Sequence, residues 1–163
     1  MELKEGDTAP DFSLSDSYNK KVSLHDFLGG WVVVYFYPQD ETMGCTIEAL
    51  DFTKLAPDFK KAGAMILAIS KDSCESHARF VAHRKLSITL LSDPDTSVNR
   101  LYGVWGMLKM MGREFEGTQR TTFLVDRKGK IAKIWRNVNP IGHAAAVLED
   151  VEGRAAPRNR AMG

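Results

Sequence analysis

The chain has 163 residues, the length of a single domain, and a net charge of +1, which gives no reason to expect nucleic acid or an acidic membrane as a partner. Two cysteines are too few for a disulfide-stapled scaffold and instead indicate a reducing compartment or redox chemistry. The polar N-terminus lacks the features of a signal peptide, and no apolar run is long enough to span a bilayer, so we expect a cytoplasmic protein.

The N-terminal part of the chain predicts strands. Residues 3–29 are expected to form a β-rich extension, because apolar and polar residues alternate there around turn-like residues. Residues 31–37 are a continuous β-branched and aromatic run, which is typical of a strand buried on both faces. Pro38 ends this strand because proline has no N–H to offer to a sheet ladder.

The rest of the chain alternates between helical and strand patterns, which favours parallel strands joined by right-handed crossovers. We expect Trp105 to be core or the wall of a pocket, and methionines 107, 110 and 111 to provide flexible packing in a loop over a functional site. The predicted elements are a helix over 43–62 that Pro57 kinks or divides and Gly63 ends, a strand over 64–69, a helix over 73–85, a strand over 87–91, a short helix over 96–102, a loop over 103–117, a hairpin over 121–136 and a last helix over 141–151.

Cys45 falls in the first turn of the helix that follows the 31–37 strand, and Thr42 is a suitable N-cap for that helix. A thiol there lies among unpaired backbone N–H groups at the positive end of the helix dipole, which favours the nucleophilic thiolate. In open α/β sheets, sites lie beyond the carboxyl ends of the parallel strands. The sequence therefore predicts a reactive thiol at that edge of the sheet.

The spacing Pro38-x-x-x-Thr42-x-x-Cys45 resembles the active-site motif of the peroxiredoxins. The flanking Tyr-Phe-Tyr-Pro and Gly-Cys-Thr-x-Glu segments are similar to the bacterioferritin-comigratory, or peroxiredoxin Q, branch of the AhpC/TSA superfamily. The resemblance extends from about residue 4 to residue 151 and includes segments 9–12, 92–95, 102–104 and 120–126. It implies an α/β thioredoxin-like fold, a mixed sheet flanked by helices, with an N-terminal β-extension. We expect one such domain over residues 1–153 and a flexible tail over 154–163.

The resemblance implies a thiol-dependent peroxidase that reduces hydrogen peroxide and organic hydroperoxides. In this interpretation Cys45 is the peroxidatic cysteine, which becomes a sulfenic acid, and Arg120 stabilises its thiolate. The Thr42 hydroxyl accepts a hydrogen bond from the peroxide, and the ring of Pro38 shields the sulfur from water. The backbone N–H groups of Gly44 and Cys45 donate to the peroxide oxygens.

An arginine near Cys45 is also expected on energetic grounds. A free thiol with a pKa of about 8.5 is mostly protonated at pH 7, and making it largely thiolate requires roughly 3.4 kcal/mol. A helix terminus contributes only ~0.5–2 kcal/mol, whereas a guanidinium near 4 Å can supply up to about 4 kcal/mol. Arg120, just before the 121–125 strand, is the candidate.

The same residues also have simpler structural interpretations. Cys45 fits a buried structural thiol, Arg120 a surface ion pair, and Thr42 a helix cap and nothing more. Glu48 is a supporting candidate, which either pairs with an arginine in the site or favours the helix start. Tyr37 is expected in the core or the pocket wall rather than in a catalytic role.

The chain departs from the family in its second thiol. Many members of the branch carry a resolving cysteine five residues after the first, where this chain has Leu50. Cys74 is the possible resolving residue here, although the other position used in the branch aligns nearer Val81. A disulfide needs Cα atoms within about 7 Å, so the first turn of the Cys45 helix would have to unwind. Met43 stands where proline is common, which either eases this unwinding or has no effect.

The resemblance implies recycling by thioredoxin or a similar dithiol, with no cofactor, and a monomer or weak homodimer. The four histidines show no metal-ligand spacing with the cysteines. A thioredoxin-like reductase is disfavoured because it needs Cys-x-x-Cys, and residues 42–45 are Thr-Met-Gly-Cys. Two alternatives stay open: a one-cysteine peroxidase resolved by an external thiol, and a redox sensor or holdase that uses Cys45 without turnover.

Overall fold

A mixed sheet flanked by helices forms the protein, and the computed structural model describes residues 2–155. The strands are β1 (Ser13–Asp16), β2 (Lys21–Ser23), β3 (Trp31–Phe36), β4 (Ala64–Ser70), β5 (Thr89–Ser92), β6 (Trp105–Met110), β7 (Arg113–Thr118), β8 (Thr121–Val125) and β9 (Ile131–Trp135). The helices are α1 (Met43–Lys61), α2 (Cys74–Arg84), α3 (Ser97–Leu101) and α4 (His143–Ala155), and Leu24–Phe27 form a 3-10 turn.

Seven strands make one sheet in the order β2-β1-β5-β4-β3-β8-β9. The central strands β3, β4 and β5 are parallel, and α1 and α2 are the crossovers between them, as the sequence predicts. The β1–β2 extension joins one side antiparallel to β5, and β8 joins the other side antiparallel to β3. The carboxyl ends of the parallel strands therefore meet at one edge, where α1 and α2 begin.

Every residue of β3 is buried, which confirms the interpretation of its apolar run. Val33 and Tyr35 belong to the hydrophobic cluster that includes buried residues of α1 and α4. Val32 and Val34 belong to the cluster on the opposite face, which includes the N-terminal extension and α3. Tyr35 stacks on Phe52 of α1 with ring centroids 4.6 Å apart, which fixes α1 over the end of β3.

α1 is one helix of 19 residues, so of the two expectations for Pro57, a kink or a division, the division is wrong. Phe52 and Phe59 lie on either side of Pro57 and are fully buried, so packing against the sheet outweighs the helical hydrogen bond that proline removes. Gly63 follows the helix with a φ of +82° and ends it as predicted.

The prediction of a loop over 103–117 is also wrong, because β6 and β7 pair there as a separate two-stranded hairpin. Met111 and Gly112 form its turn with φ values of +53° and +80°, which suits a two-residue type I′ connection. Met107 and Met111 are 64% and 95% exposed, so they do not provide the packing that the sequence led us to expect.

The last helix begins two residues later than predicted and continues to Ala155, two residues into the segment assigned to the tail. Residues 156–163 of that predicted tail lie outside the described part of the chain. Within residues 2–155, no helix combines the length and apolar character that crossing a bilayer requires.

Candidate active site

Cys45 lies in the first turn of α1, where the sequence places it, and its side chain is 1% exposed. The first helical hydrogen bond runs from Thr46 N–H to the Thr42 carbonyl at 2.8 Å. The amides of Gly44 and Cys45 precede it and have no helical acceptor, so they remain available as donors. The thiol is free and sits at the carboxyl edge of the sheet among amide donors.

Arg120 directly precedes β8 and contacts Cys45 at the carboxyl end of β3. Its Nη2 lies 3.4 Å from the Cys45 sulfur, and its Nη1 donates to Glu48 Oε1 at 2.7 Å. The pairing of Phe36 with Thr121 places Arg120 beside the end of β3, and Val138 N–H donates to the Arg120 carbonyl at 3.1 Å. This contact places a permanent positive charge directly beside the sulfur.

The pKa values of Arg120 and Glu48 are shifted by burial and by their contact with each other. Burial lowers the pKa of Arg120, but the neighbouring Glu48 carboxylate and Cys45 sulfur raise it more, so the pKa stands above its usual value. Glu48 is fully buried, and this burial raises its pKa to about 7 even though Arg120 acts in the opposite direction. Of the two sequence interpretations of Glu48, the pair with an arginine is the one observed. Within the described residues, Glu48 Oε2 has no hydrogen-bond partner.

Thr42 occupies the N-cap position of α1, but its side chain makes no capping bond. Its hydroxyl instead donates to the Gln39 carbonyl at 3.0 Å, and the side chain is exposed. A hydroxyl has one proton, so the Thr42 oxygen is left to accept a hydrogen bond from a bound molecule. Pro38, at the end of β3, is half-buried.

Position 44 suits glycine because Arg120 occupies the space that a side chain would need. A Cβ at this position would lie 3.2 Å from Arg120 Nη2 and 3.4 Å from Pro140 Cγ. A side chain at this position would therefore require the guanidinium to shift by a few tenths of an ångström. Sequence reasoning did not find Pro140, whose contact depends on the loop before α4 folding back over α1.

A sequence model of the AhpC/TSA family matches residues 5–134 of the chain. The chain belongs to the AhpC/TSA family. It is 42% identical to peroxiredoxin Bcp of Xanthomonas campestris, over 89% of this chain and 91% of that protein. It is also 42% identical to peroxiredoxin Bcp of Escherichia coli K12, over 90% and 94% of the two chains.

Solved structures of peroxiredoxins give the same result. The bacterioferritin comigratory protein of X. campestris, studied for alkyl peroxide reduction, superposes with a TM-score of 0.84 at 41% identity, covering 89% of this chain and 92% of that one. A cysteine-to-serine variant of Xylella fastidiosa PrxQ gives a TM-score of 0.90 at 32% identity, covering 96% and 99%. The sheet and its flanking helices are thus a thioredoxin fold, and the protein is a thiol-dependent peroxidase of the Bcp branch.

The peroxiredoxin contains a second buried polar group that sequence reasoning missed. Asp40, in the loop between β3 and α1, accepts hydrogen bonds from the Tyr37 hydroxyl at 2.6 Å and the Ser76 hydroxyl at 2.7 Å. Its Oδ2 also lies 2.7 Å from His77 Nδ1. Burial raises the pKa of Asp40, but the hydrogen bonds from His77, Tyr37 and Ser76 outweigh it and hold the pKa below its usual value.

His77 is fully buried between two acceptors. Its Nδ1 faces Asp40, and its Nε2 lies 3.0 Å from the Leu91 carbonyl. These two contacts hold the ring in place from both sides within the interior. Ligand atoms of Asp40, Asp72 and His77 lie within 4.8 Å of one another, but both aspartates already accept protein hydrogen bonds, which account for the grouping.

Tyr37 belongs to this polar group, because its hydroxyl donates a hydrogen bond to Asp40. Burial, followed by the charge of Asp40, raises the pKa of Tyr37 well above its usual value, so the phenol keeps the proton that it donates to Asp40. The signal for the group was present in the sequence, since Asp40 and Asp72 each follow a strand that ends at the same sheet edge. The contribution of Ser76 and His77 was not predictable in the same way, because it depends on which face of α2 packs against the sheet.

His143 is the first residue of α4 and contacts β8, the strand that follows Arg120. Burial, followed by the charge of Arg120, lowers the pKa of His143 to about 4. The neutral ring can therefore accept the hydroxyl proton of Thr122, whose Oγ1 lies 2.8 Å from Nε2. This contact joins β8, which positions Arg120, to α4.

Cys74 begins α2 and is half-buried, with its sulfur 3.9 Å from the Ser15 carbonyl of β1. The contact of Cys45, Arg120, directly precedes β8. In the sheet, three strands (β5, β4 and β3) lie between β8 and β1, the strand that Cys74 contacts. The two thiols thus begin neighbouring helices at one edge of the sheet, but they are free and face different partners.

Proposed function

We propose that Cys45 is the peroxidatic cysteine of this peroxiredoxin and that it reduces hydrogen peroxide and organic hydroperoxides. The observation that supports this most directly is the 3.4 Å contact between Arg120 and the Cys45 sulfur at the start of α1. The guanidinium and the helix terminus both favour the thiolate, which is the form that attacks an O–O bond.

In the first step, the Cys45 thiolate attacks one peroxide oxygen and the O–O bond breaks. The sulfur is oxidised to sulfenic acid, and the other oxygen takes a proton and leaves as water or alcohol. Thr42 accepts the peroxide hydrogen bond, since its own proton is given to Gln39. The Gly44 and Cys45 amides, with Arg120, face the charge that develops on the departing oxygen.

Glu48 and Pro38 have supporting roles in this proposal. Glu48 holds one arm of the Arg120 guanidinium at 2.7 Å, so that the other arm points at the sulfur. Pro38 limits access of water to the thiolate from the end of β3. Cys45, Arg120, Glu48 and Thr42 all belong to one chain, so the first step needs no second copy and suits a monomer or weak homodimer.

In the second step, the Cys74 thiol attacks the Cys45 sulfenic acid, forming a disulfide and releasing water. A thioredoxin-type dithiol then reduces this disulfide by thiol–disulfide exchange. The step requires the first turn of α1 to unwind, because the sulfurs face different neighbours in the folded enzyme. The separation of the thiols also favours one specific alternative, in which an external thiol attacks the sulfenic acid directly.

We also propose a cellular compartment and a domain extent for the enzyme. Free thiols and recycling by a dithiol suit a reducing compartment, and we place the enzyme in the cytoplasm. We assign the peroxidase to one domain that extends to Ala155, the end of α4, rather than to residue 153, and β1 and β2 are part of the sheet that supports its site.

The test is the intact mass of the reduced protein after one equivalent of hydrogen peroxide, with Cys45→Ser and Cys74→Ser beside it. We expect the wild type to lose two hydrogens and neither variant to do so. We expect Cys74→Ser to gain one oxygen, on Cys45. A wild type that gains oxygen and forms no disulfide would replace Cys74 with an external thiol, and a wild type that stays unchanged would remove the catalytic role of Cys45.

A further inference from the structure

We propose that Asp40 is the fixed pivot about which Cys45 moves to reach Cys74, which makes it a positioning residue for disulfide formation. The inference rests on the proposed function, in which Cys74 resolves the sulfenic acid. It concerns a part of the molecule that the peroxide step does not use: the buried contact between the β3–α1 loop and α2.

Asp40 is the most firmly held residue of that loop. Its carboxylate meets three donors, from Tyr37, Ser76 and His77, and its backbone N–H donates to Asp72 Oδ2 at 2.9 Å. The partner His77 is fully buried and held at both ring nitrogens. Separating Asp40 from His77 would leave charge unpaired in the interior, which is strongly unfavourable.

The chain immediately after Asp40 is held weakly. Glu41, Thr42 and Met43 are all exposed, and Gly44 adds backbone freedom. Glu41 has a φ of +64°, a left-handed conformation that unwinding would relieve. The carboxylate of Glu41 contacts α2 only through exposed pairs with His83 and Arg84, and surface pairs of this kind hold little. Unwinding therefore starts after Asp40 and leaves Asp40 in place.

The pivot lies beside the target thiol. Ser76, which donates to Asp40 at 2.7 Å, is two residues after Cys74 and in the same turn of α2. Residues 41–45, once extended, span up to ~17 Å from Asp40. Cys45 can thus leave Arg120 and meet Cys74 while its tether stays fixed next to Cys74, which keeps the effective concentration of the two thiols high. The bond formed is Cys45 Sγ–Cys74 Sγ, and the sulfenic oxygen leaves as water with the Cys74 proton.

The test separates the two chemical steps in time. Reduced full-length protein is mixed with one equivalent of hydrogen peroxide, quenched in acid at intervals and read by intact mass, so that sulfenic acid and disulfide are followed separately. The main variant is Asp40→Asn. Ser76→Ala removes one hydrogen bond without leaving a buried charge and serves where Asp40→Asn does not fold. Glu41→Gln is the matched control on the neighbouring exposed residue.

We expect sulfenic acid formation to stay within ~3-fold of wild type in all variants, and disulfide formation to slow by ~10-fold or more in Asp40→Asn and by a smaller factor in Ser76→Ala. Glu41→Gln should not slow it. Disulfide formation at or above the wild-type rate in both Asp40→Asn and Ser76→Ala would overturn the pivot, as would equal slowing of both steps. A wild type that forms no disulfide would overturn the role of Cys74, and the pivot with it.

Discussion

The Arg120 guanidinium contacts the Cys45 sulfur at 3.4 Å although the two residues are 75 positions apart in the chain. The antiparallel pairing of β8 with β3 creates this contact, because it brings the start of β8 to the end of the strand that leads to Cys45. The second arm of the guanidinium is fixed by Glu48, so the position of the charge is set by two strands and a helix together.

Replacing Arg120 by lysine should slow the reaction with hydrogen peroxide by ~100-fold, measured by stopped-flow tryptophan fluorescence. Lysine keeps the charge, but its single ammonium cannot bridge Glu48 and Cys45 in the way that a planar guanidinium does. The matched control is Arg127→Lys, since Arg127 packs over the ring of Trp31 at the far end of β3. A rate for Arg120→Lys close to wild type would show that the bridge is not needed.

Thr42→Val should slow the peroxide reaction by ~10–100-fold, whereas Thr42→Ser should stay within ~3-fold of wild type. Valine has the shape of threonine without the oxygen that accepts from the peroxide. The Thr42 side chain is exposed and makes no capping bond, so the free energy of unfolding should change by less than about 0.5 kcal/mol in either variant. Equal rates for valine and serine would assign Thr42 to the helix start alone.

Glu48 should make stability depend on pH near neutrality. Its folded-state pKa of about 7 lies above the ordinary value of 4.5, so the folded protein holds this proton more tightly than the unfolded chain does. The resulting stabilisation is complete below about pH 4.5 and is lost as the pH rises through 7.

Glu48→Gln cannot titrate and isolates this effect. The free energy of unfolding of the variant minus that of wild type should rise by on the order of 3 kcal/mol between pH 4.5 and pH 8, measured by urea denaturation. Glutamine can still accept from Arg120, so the fold should be retained. A difference that stays constant with pH would mean that Glu48 is ionised throughout this range.

Local signals were sufficient for most of the scaffold and for the thiol. The apolar run of β3, the stop at Pro38 and the position of Cys45 at a helix start are properties of short segments, and the structure agrees with each. The hairpin of β6 and β7 was missed although Met111 and Gly112 make a two-residue turn. Its strands alternate weakly and lie outside the main sheet, so the sequence pattern resembled a loop.

Contacts between distant segments could not be predicted in the same way. The Asp40–His77 pair joins the β3–α1 loop to the inner face of α2, and both residues also suit exposed positions in the sequence. Local geometry predicted a kink or a division of α1 at Pro57, and the burial of Phe52 and Phe59 on either side of it keeps the helix continuous. In each case tertiary packing supplied the deciding energy.

Met43→Pro should raise the free energy of unfolding by ~0.4–1 kcal/mol and slow disulfide formation after peroxide. Met43 is the first residue of α1, where proline loses no helical hydrogen bond, and Thr42 already has the extended conformation that precedes proline. The Met43 side chain is 80% exposed, so little packing is lost. Met43→Ala is the control, and an unchanged disulfide rate in Met43→Pro would argue against unwinding of the first turn.

Continuous peroxide consumption in the presence of excess dithiothreitol tests most directly whether Cys45 carries the reaction. The account predicts that wild type consumes many equivalents of hydrogen peroxide per chain and that Cys45→Ser consumes peroxide no faster than the reductant alone. It predicts that Cys74→Ser still turns over, because the external dithiol can attack the sulfenic acid. Turnover by Cys45→Ser would contradict the account, and so would a wild type that consumes about one equivalent and stops.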